Sequence, residues 1–328
     1  MPEPTNPKHP RNHTKPILII AIIMTAITNA VTTHFERGVT AQYPIPVHSL
    51  YEIITIPADG LTVPSGGTLV VNVQDSHVRI LPALGEDVII EYTPPSPQHD
   101  NLPTIAFQDG FVEIIQPPQQ SGFFSNSANL RTISIFLPIS QQTTAFHDIS
   151  ISTLGGDITI TGTPTLYIAD SVTLHTRSGT ITLEDFNARI IAASSTSGAV
   201  DGHFIGANEE ILLNSISGAI SARRINTDIW TGVITLSSTS GLINGFEIVA
   251  NEIFATNNSG NVMLSWISTK KLTTSTTSGD IFITNPFRIN HLNLDSASGS
   301  INLNNVPTTA SRNLGTTSGN IRIDGQHQ

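Results

Sequence analysis

Cysteine is absent from all 328 residues, which removes disulfides, thiolate nucleophiles and Cys-ligated metals together. Charge is scarce as well. Only 12% of the residues are Asp, Glu, Lys or Arg, about half the usual share. The 15 basic residues are outnumbered by 25 acidic ones, for a net charge of −10, and they are scattered singly. Phosphate binding needs clustered Lys and Arg, so the composition argues against a nucleic-acid partner. With 38% apolar residues the chain is not of the charge-rich, apolar-poor disordered class either. Ser, Thr and Asn make up much of the polar share, a composition that suits strands and turns better than helices.

Long apolar runs are also missing, with one exception near the N-terminus. Residues 1–16 are Pro-rich and carry Lys8, Arg11 and Lys15, and they lead into an uncharged run, ILIIAIIMTAI, from Ile17 to Ile27. As a helix it would rise ~16 Å, about half of a hydrocarbon core. Two readings stay open for residues 17–35: a signal peptide cleaved near Thr28–Ala30, or a single-pass anchor continuing to Phe35 with the basic tail inside. Both place the chain beyond the linker at 36–49 outside the cytoplasm, secreted or membrane-anchored.

The remainder is organised by repetition. TTSGDIFITN at Thr276–Asn285 is nearly rewritten as TTSGNIRIDG at Thr316–Gly325. Taking the glycine of each Ser-Gly pair as origin, and Gly156 in LGGDI as the first, the series runs Gly156, Gly179, Gly198, Gly218, Gly241, Gly260, Gly279, Gly299 and Gly319, with steps of 19, 20 or 23. Two residues after each glycine stands Ile or Val without exception, from Ile158 to Ile321. Seven before stands an aliphatic residue, from Ile149 to Leu292, until Arg312 breaks the column. Three before stands Ser, Thr or, once, Asn257. Columns stepping by two mean strands with one face in and one face out.

These periods predict an all-β fold, a parallel β-solenoid of about 20 residues per coil, with residues 149–325 forming nine regular coils. The glycines are read as structural corners that need either φ > 0 or the absence of a Cβ, and the hydroxyl column as the partner of corner backbone groups. A return segment adds Phe186, Ile205, Ile225, Ile248 and Ile267 to the inside. Residues 50–148, with alternating strands at Leu69–Leu81, Ile105–Ile115 and Leu130–Ser140 broken by Pro- and Gln-rich stretches, read as irregular starting coils and a cap. A separate small β-domain is the alternative. With only a tail at 326–328, the last coil is expected to offer an uncovered edge, tempered by Arg312 and Arg322, and the ectodomain to be mostly monomeric.

Sites are few. Asp157 and Asp280, outward beside their glycines, lie many coils apart. Asp201-Gly202-His203 reads as a turn with a surface histidine; Glu184, Asp185 and Asn208–Glu210 read as solvated loop charge. No catalytic, metal or cofactor-binding residue is assigned. Asn257-Asn258-Ser259 has the form of an N-glycosylation acceptor. Two coils carry three extra residues, around TGTPTLYIAD and RRINTDIWTG, as tolerated insertions or ligand-facing loops.

The Thr-Ser-Gly-Asp-Ile rungs, the ISIFLPIS strand leading into ISISTLGGDITI and the short N-terminal apolar segment together resemble a family of adhesin-like proteins built on Ser-Gly-x-Ile rungs, catalogued as a domain of unknown function. The resemblance spans roughly Leu50–Gly325 and implies surface attachment without identifying a ligand; cell-surface or cell-wall glycans or proteins are the expected partners. It implies no catalytic residue. The expected function is therefore a non-enzymatic surface or envelope protein. The alternatives are a polysaccharide-active solenoid enzyme, favoured by an acid beside a second acid or a base on adjacent coils, and an extracytoplasmic sensor domain.

Overall fold

The computed structural model describes residues 45–46, 52–56, 67–84, 87–93, 103–108, 110–116, 131–138, 146–163, 167–324 and 326–327. The N-terminal tail, the signal or anchor segment and most of the linker lie outside the described residues. The chain divides into units 1–41 and 42–328, and the described residues all belong to the second. Among them there is no helix long and apolar enough to cross a membrane.

Strands alone build the described fold, and from the Gly156 corner onward they stack as the parallel β-solenoid that the periodicity predicts. Each coil has three sides. Strands such as Glu252–Asn257, Lys271–Thr276 and His291–Ser296 lead into the glycine corner and pair in register, Ile253 on Leu272 on Leu292. Past the corner, Val262–Ser265, Ile281–Thr284 and Ile301–Asn304 form the second side, Val262 on Ile281 on Ile301. The third side is short, held by single parallel bridges from Asn226 through Val249 and Ser268 to Phe287. One aliphatic column from each side meets inside: Leu272, Ile281, Ile283 and Ile267 are wholly buried, so the period of two along each strand becomes one continuous apolar core.

The corner glycines have a steric explanation. Among the described glycines only Gly110, in the hairpin turn between Thr104–Gln108 and Phe111–Ile115, has a positive φ, at 77°. At the corners space decides instead. A Cβ on Gly279 would stand 2.0 Å from the carbonyl oxygen of Gly260, and one on Gly299 1.9 Å from that of Gly279. The hydroxyl three residues earlier sits against the same carbonyl. Ser296 donates to the Gly279 oxygen at 3.0 Å and accepts from the Gly299 N–H at 2.8 Å. Thr176, Ser195, Ser215, Ser238, Thr276 and Thr316 repeat both bonds. Each hydroxyl thus satisfies two backbone groups that stacking would otherwise leave orphaned.

The stack does not keep to the order of the sequence at its N-terminal end. Gly67–Val73 and Ser76–Ala83 form a coil directly against the Gly156 coil, with Leu69 on Ile149 and Val78 on Ile158. On the far face of that coil lie Phe111–Ile115 and Arg131–Pro138, with Leu69 on Val112 and Val78 on Ile133. The chain therefore lays an inner coil, then an outer one, and returns past both to begin the regular ladder. Antiparallel strands finish this end: Thr104–Gln108 and then Ile45–Pro46 on one side, Val88–Thr93 and then Glu52–Ile56 on the other. These strands share one continuous sheet with the solenoid.

At the other end the expected bare edge is partly covered. Gln326–His327 pairs antiparallel with Ile321–Ile323. Arg312 fits its inward column because Nη2 donates to the carbonyls of Val306 and Pro307, both at 3.1 Å.

Two outcomes test the corner. Gly279→Ala should lower stability by about 3 kcal/mol or more, since a carbonyl of the neighbouring rung must move, whereas Phe282→Ser, on the outward face of the same strand, should change it by less than about 1 kcal/mol. Equal melting temperatures for the two variants in differential scanning calorimetry would contradict the assigned faces. Ser296→Ala should cost about 1–3 kcal/mol by orphaning two buried backbone groups, and Ser296→Thr should restore most of it, as the column already accepts Thr.

Candidate functional site

Six residues after each glycine from Gly179 to Gly299, at the end of the second side, the chain turns again. Here the backbone is left-handed: Asp185, Phe204, Arg224, Glu247, Trp266, Asn285 and Asn305 have φ between 50° and 58°. Asn and Asp enter this region readily, whereas for bulky residues it is strained by roughly 1–2 kcal/mol. Phe204 and Trp266 are held there nonetheless and point outward, 40% and 50% exposed. The sequence reading missed this column, because no single residue type marks it.

The outward face of the second side adjoins this edge. Along it Glu184, His203, Arg223 and Phe246 stand in register on four successive coils, and Asp201, Ser221, Asn244 and Met263 form the neighbouring column. His203 Nδ1 lies 3.7 Å from Glu184 Oε1. Arg224 donates through Nε to Glu247 at 2.6 Å, and its guanidinium sits 4.9 Å over the Phe204 ring, which the His203 ring meets at 4.3 Å. Between these rungs is a shallow concavity of about 370 Å³ lined by His203, Arg223, Arg224, Asn244 and Phe246. Burial pushes the Asp201 carboxyl above the usual carboxylate range, and Arg223 pulls it back in part.

Two expectations are corrected here. Asp201-Gly202-His203 lies within the strand Val200–Ser215 rather than in a turn; its glycine is an inward position, where a Cβ would come within 3.1 Å of Ile205. Asn208–Glu210 belongs to the same strand, and Glu184 to Ile181–Ser195. Glu209 pairs with Arg189 at 2.9 Å. The Glu210 carboxyl is raised by burial and then by the Glu209 charge.

Other outward polar groups serve the stack itself. Asp157, Asn261 and Asp280 accept from the N–H of Thr180, Asp280 and Ser300 in the next coil, at 2.8, 2.9 and 2.7 Å. On the first side hydroxyls and amides meet across coils, as in Thr256 donating to Ser237 at 3.2 Å and Asn313 to Asn293 at 2.8 Å. Burial lowers the pKa of His175, which contacts Ser194 at 2.9 Å. The insertion around RRINTDIWTG is a loop closed by Asp228, whose carboxylate accepts from the N–H groups of Trp230 and Thr231; Trp230 is 64% exposed with the Lys270 ammonium 4.6 Å over its ring. Asn257 takes the place of a corner hydroxyl: its amide donates to the Gly241 carbonyl and accepts from the Gly260 N–H. At 6% exposure the nitrogen a glycan would need is already engaged. Among the described residues no group of three or more His, Asp or Glu is placed to hold a metal.

A family model described as Toastrack DUF4097 matches residues 67–229 and again 209–328. The chain belongs to this family. The overlap at 209–229 is about one coil, the ambiguity expected when one pattern is laid twice along a periodic ladder. A search of curated proteins finds no match. Among solved structures, a protein from Clostridium sporogenes described as a candidate for cell adhesion is similar at 13% identity, over 86% of this chain and 99% of that one, with a TM-score of 0.24. A likeness at that score carries no argument about fold or role.

The raised Glu210 carboxyl has a sign that can be checked. Its folded pKa lies above the unfolded value of 4.5, so its ionisation opposes folding at neutral pH and that penalty fades as pH falls through the folded pKa. Glu210→Gln should therefore raise the melting temperature at pH 7 and lose its advantage as pH falls to 4.5. An advantage that persists unchanged at about pH 4, below the unfolded carboxylate pKa, would rule out desolvation as its cause.

Proposed function

We propose that this Toastrack solenoid is a non-enzymatic, adhesin-like binding surface acting outside the cytoplasm on cell-surface or cell-wall glycans or proteins. The observation that carries this reading is the outward face of the second side. On neighbouring coils it presents Phe204, Leu242, Met263 and Trp266, each 39–50% exposed, beside the amide and guanidinium groups of Asn244, Arg223 and Arg224. A rigid ladder that repeats apolar and hydrogen-bonding groups every ~4.8 Å suits an extended polymer, each rung adding a small increment. Affinity of one domain should be micromolar or weaker, and useful when many copies act together. The basic tail and the apolar run at Ile17–Ile27 support the placement outside the cytoplasm.

One observation favours the enzymatic alternative. Glu184, His203, Asp201 and Arg223 bring acids and bases together on adjacent coils. Yet acid-base pairs across coils recur elsewhere, Lys271 with Glu252 at 2.8 Å and Arg189 with Glu209 at 2.9 Å, so such a pair is a product of in-register stacking and does not single out a site.

A panel of plant, fungal and bacterial polysaccharides separates the two. Binding without turnover is the expected result, with Met263→Ala or Trp266→Ala each weakening it by a few-fold. New reducing ends or unsaturated products, abolished by Glu184→Gln or His203→Ala, would overturn the non-enzymatic reading. Fractionation and intact mass of the expressed protein test its location.

A further inference from the structure

We propose that the concavity between the His203, Arg223 and Phe246 rungs is a subsite for a carboxylated sugar residue of an acidic polysaccharide. The inference rests on the binding reading above and narrows its ligand class. Four of the five lining residues, His203, Arg223, Arg224 and Asn244, carry hydrogen-bond donors, and none is acidic. Two of the acids nearby are already engaged. Glu247 accepts from Arg224 Nε, which leaves the outer edge of that guanidinium free to donate. Glu184 faces His203. Asp201 lies near Arg223 and is held above the usual carboxylate range by burial. Arg223 itself is exposed and, among the described residues, has no hydrogen-bonded carboxylate. A guanidinium fork in that state matches the two oxygens of a carboxylate better than any neutral hydroxyl.

The remaining lining residue explains why the ligand is a sugar rather than a bare anion. Phe246 offers a half-buried ring on the Asn244 rung, while the Phe204 ring beside it is taken up by Arg224 and His203. The apolar C–H face of a pyranose can rest on such a ring while its carboxylate reaches the arginines. Three successive rungs span about 10 Å at the inter-strand spacing, and about 370 Å³ lies at the small end of ligand sites, enough for one ring within a longer chain. The net charge of −10 does not forbid an anionic ligand, because at physiological salt charges beyond about 8 Å are largely screened and the local cations decide.

The test titrates the full-length protein with oligomers of galacturonate, guluronate and hyaluronan, with neutral galactan and cello-oligomers, and with inorganic phosphate. At least one acidic series should bind about tenfold or more tightly than its neutral counterpart. Arg223→Ala should remove that preference, Arg223→Lys should recover it only in part, and Lys271→Ala, on another face, should leave it unchanged. If neutral oligomers bind as well as acidic ones and Arg223→Ala is silent, the subsite is wrong while the binding function stands. Phosphate binding as tightly as the acidic oligomers would make this an anion site without sugar selection, which also overturns the proposal. Binding to no glycan at all would sink the subsite together with the reading it rests on.

Discussion

At every regular corner a backbone carbonyl of one coil occupies the volume in which the next coil would place a Cβ. That contact fixes the stack. Once the Gly260 oxygen sits 2.0 Å from the missing Cβ of Gly279, the rungs cannot slide along one another, and the buried hydroxyl three residues earlier fills both orphaned hydrogen bonds with a single atom. A satisfied polar column inside an apolar core specifies one register rather than merely adding attraction. Asn257 shows how strict the requirement is: Asn replaces Ser or Thr and makes the same two bonds with its amide.

Because core and corner set the register, the outward columns are left to chemistry. A one-residue slip would exchange the two faces, so the ladder that buries Ile281 and Ile283 also guarantees that Met263 and Phe282 stay outside. In-register stacking then brings every outward residue to its counterpart in the next coil. This explains why Glu184 meets His203, Arg224 meets Glu247 and Asn285 meets Asn305. It also explains why such pairs carry little information about catalysis.

The regular half was legible because its constraint repeats. The columns two after and seven before each glycine marked strands, faces and the core directly, and the hydroxyl column three before marked the corner bonds. The glycine itself was half legible: sequence cannot separate a left-handed turn from a crowded one, and the crowding lies in the neighbouring rung. The second corner was hidden, since left-handed backbone at Phe204 and Trp266 contradicts the local preference of those residues and is imposed by the coil on either side. Gly202 misled for a related reason, standing for lack of space beneath Ile205 rather than for a turn. The N-terminal order was out of reach. Ser76 occupies a corner with no glycine, and the pairing of Val78 with Ile158 joins residues far apart in the chain, so no local period announces it.

That out-of-order start changes how the stack is held. Thr153 donates to carbonyls of Gln74 and Ser76, at 3.1 and 3.3 Å, so the first regular coil is seated on residues made much earlier in the chain. In a ladder of nearest-neighbour contacts the terminal rungs open most readily. Here one end is closed by antiparallel strands and the other by the short pairing of Gln326–His327. The rungs bearing His203, Arg223, Phe246 and Trp266 lie well inside both, where each is covered above and below. A face held so firmly would lose little conformational entropy if a ligand were laid across it, and the proposed interface of small increments depends on that saving.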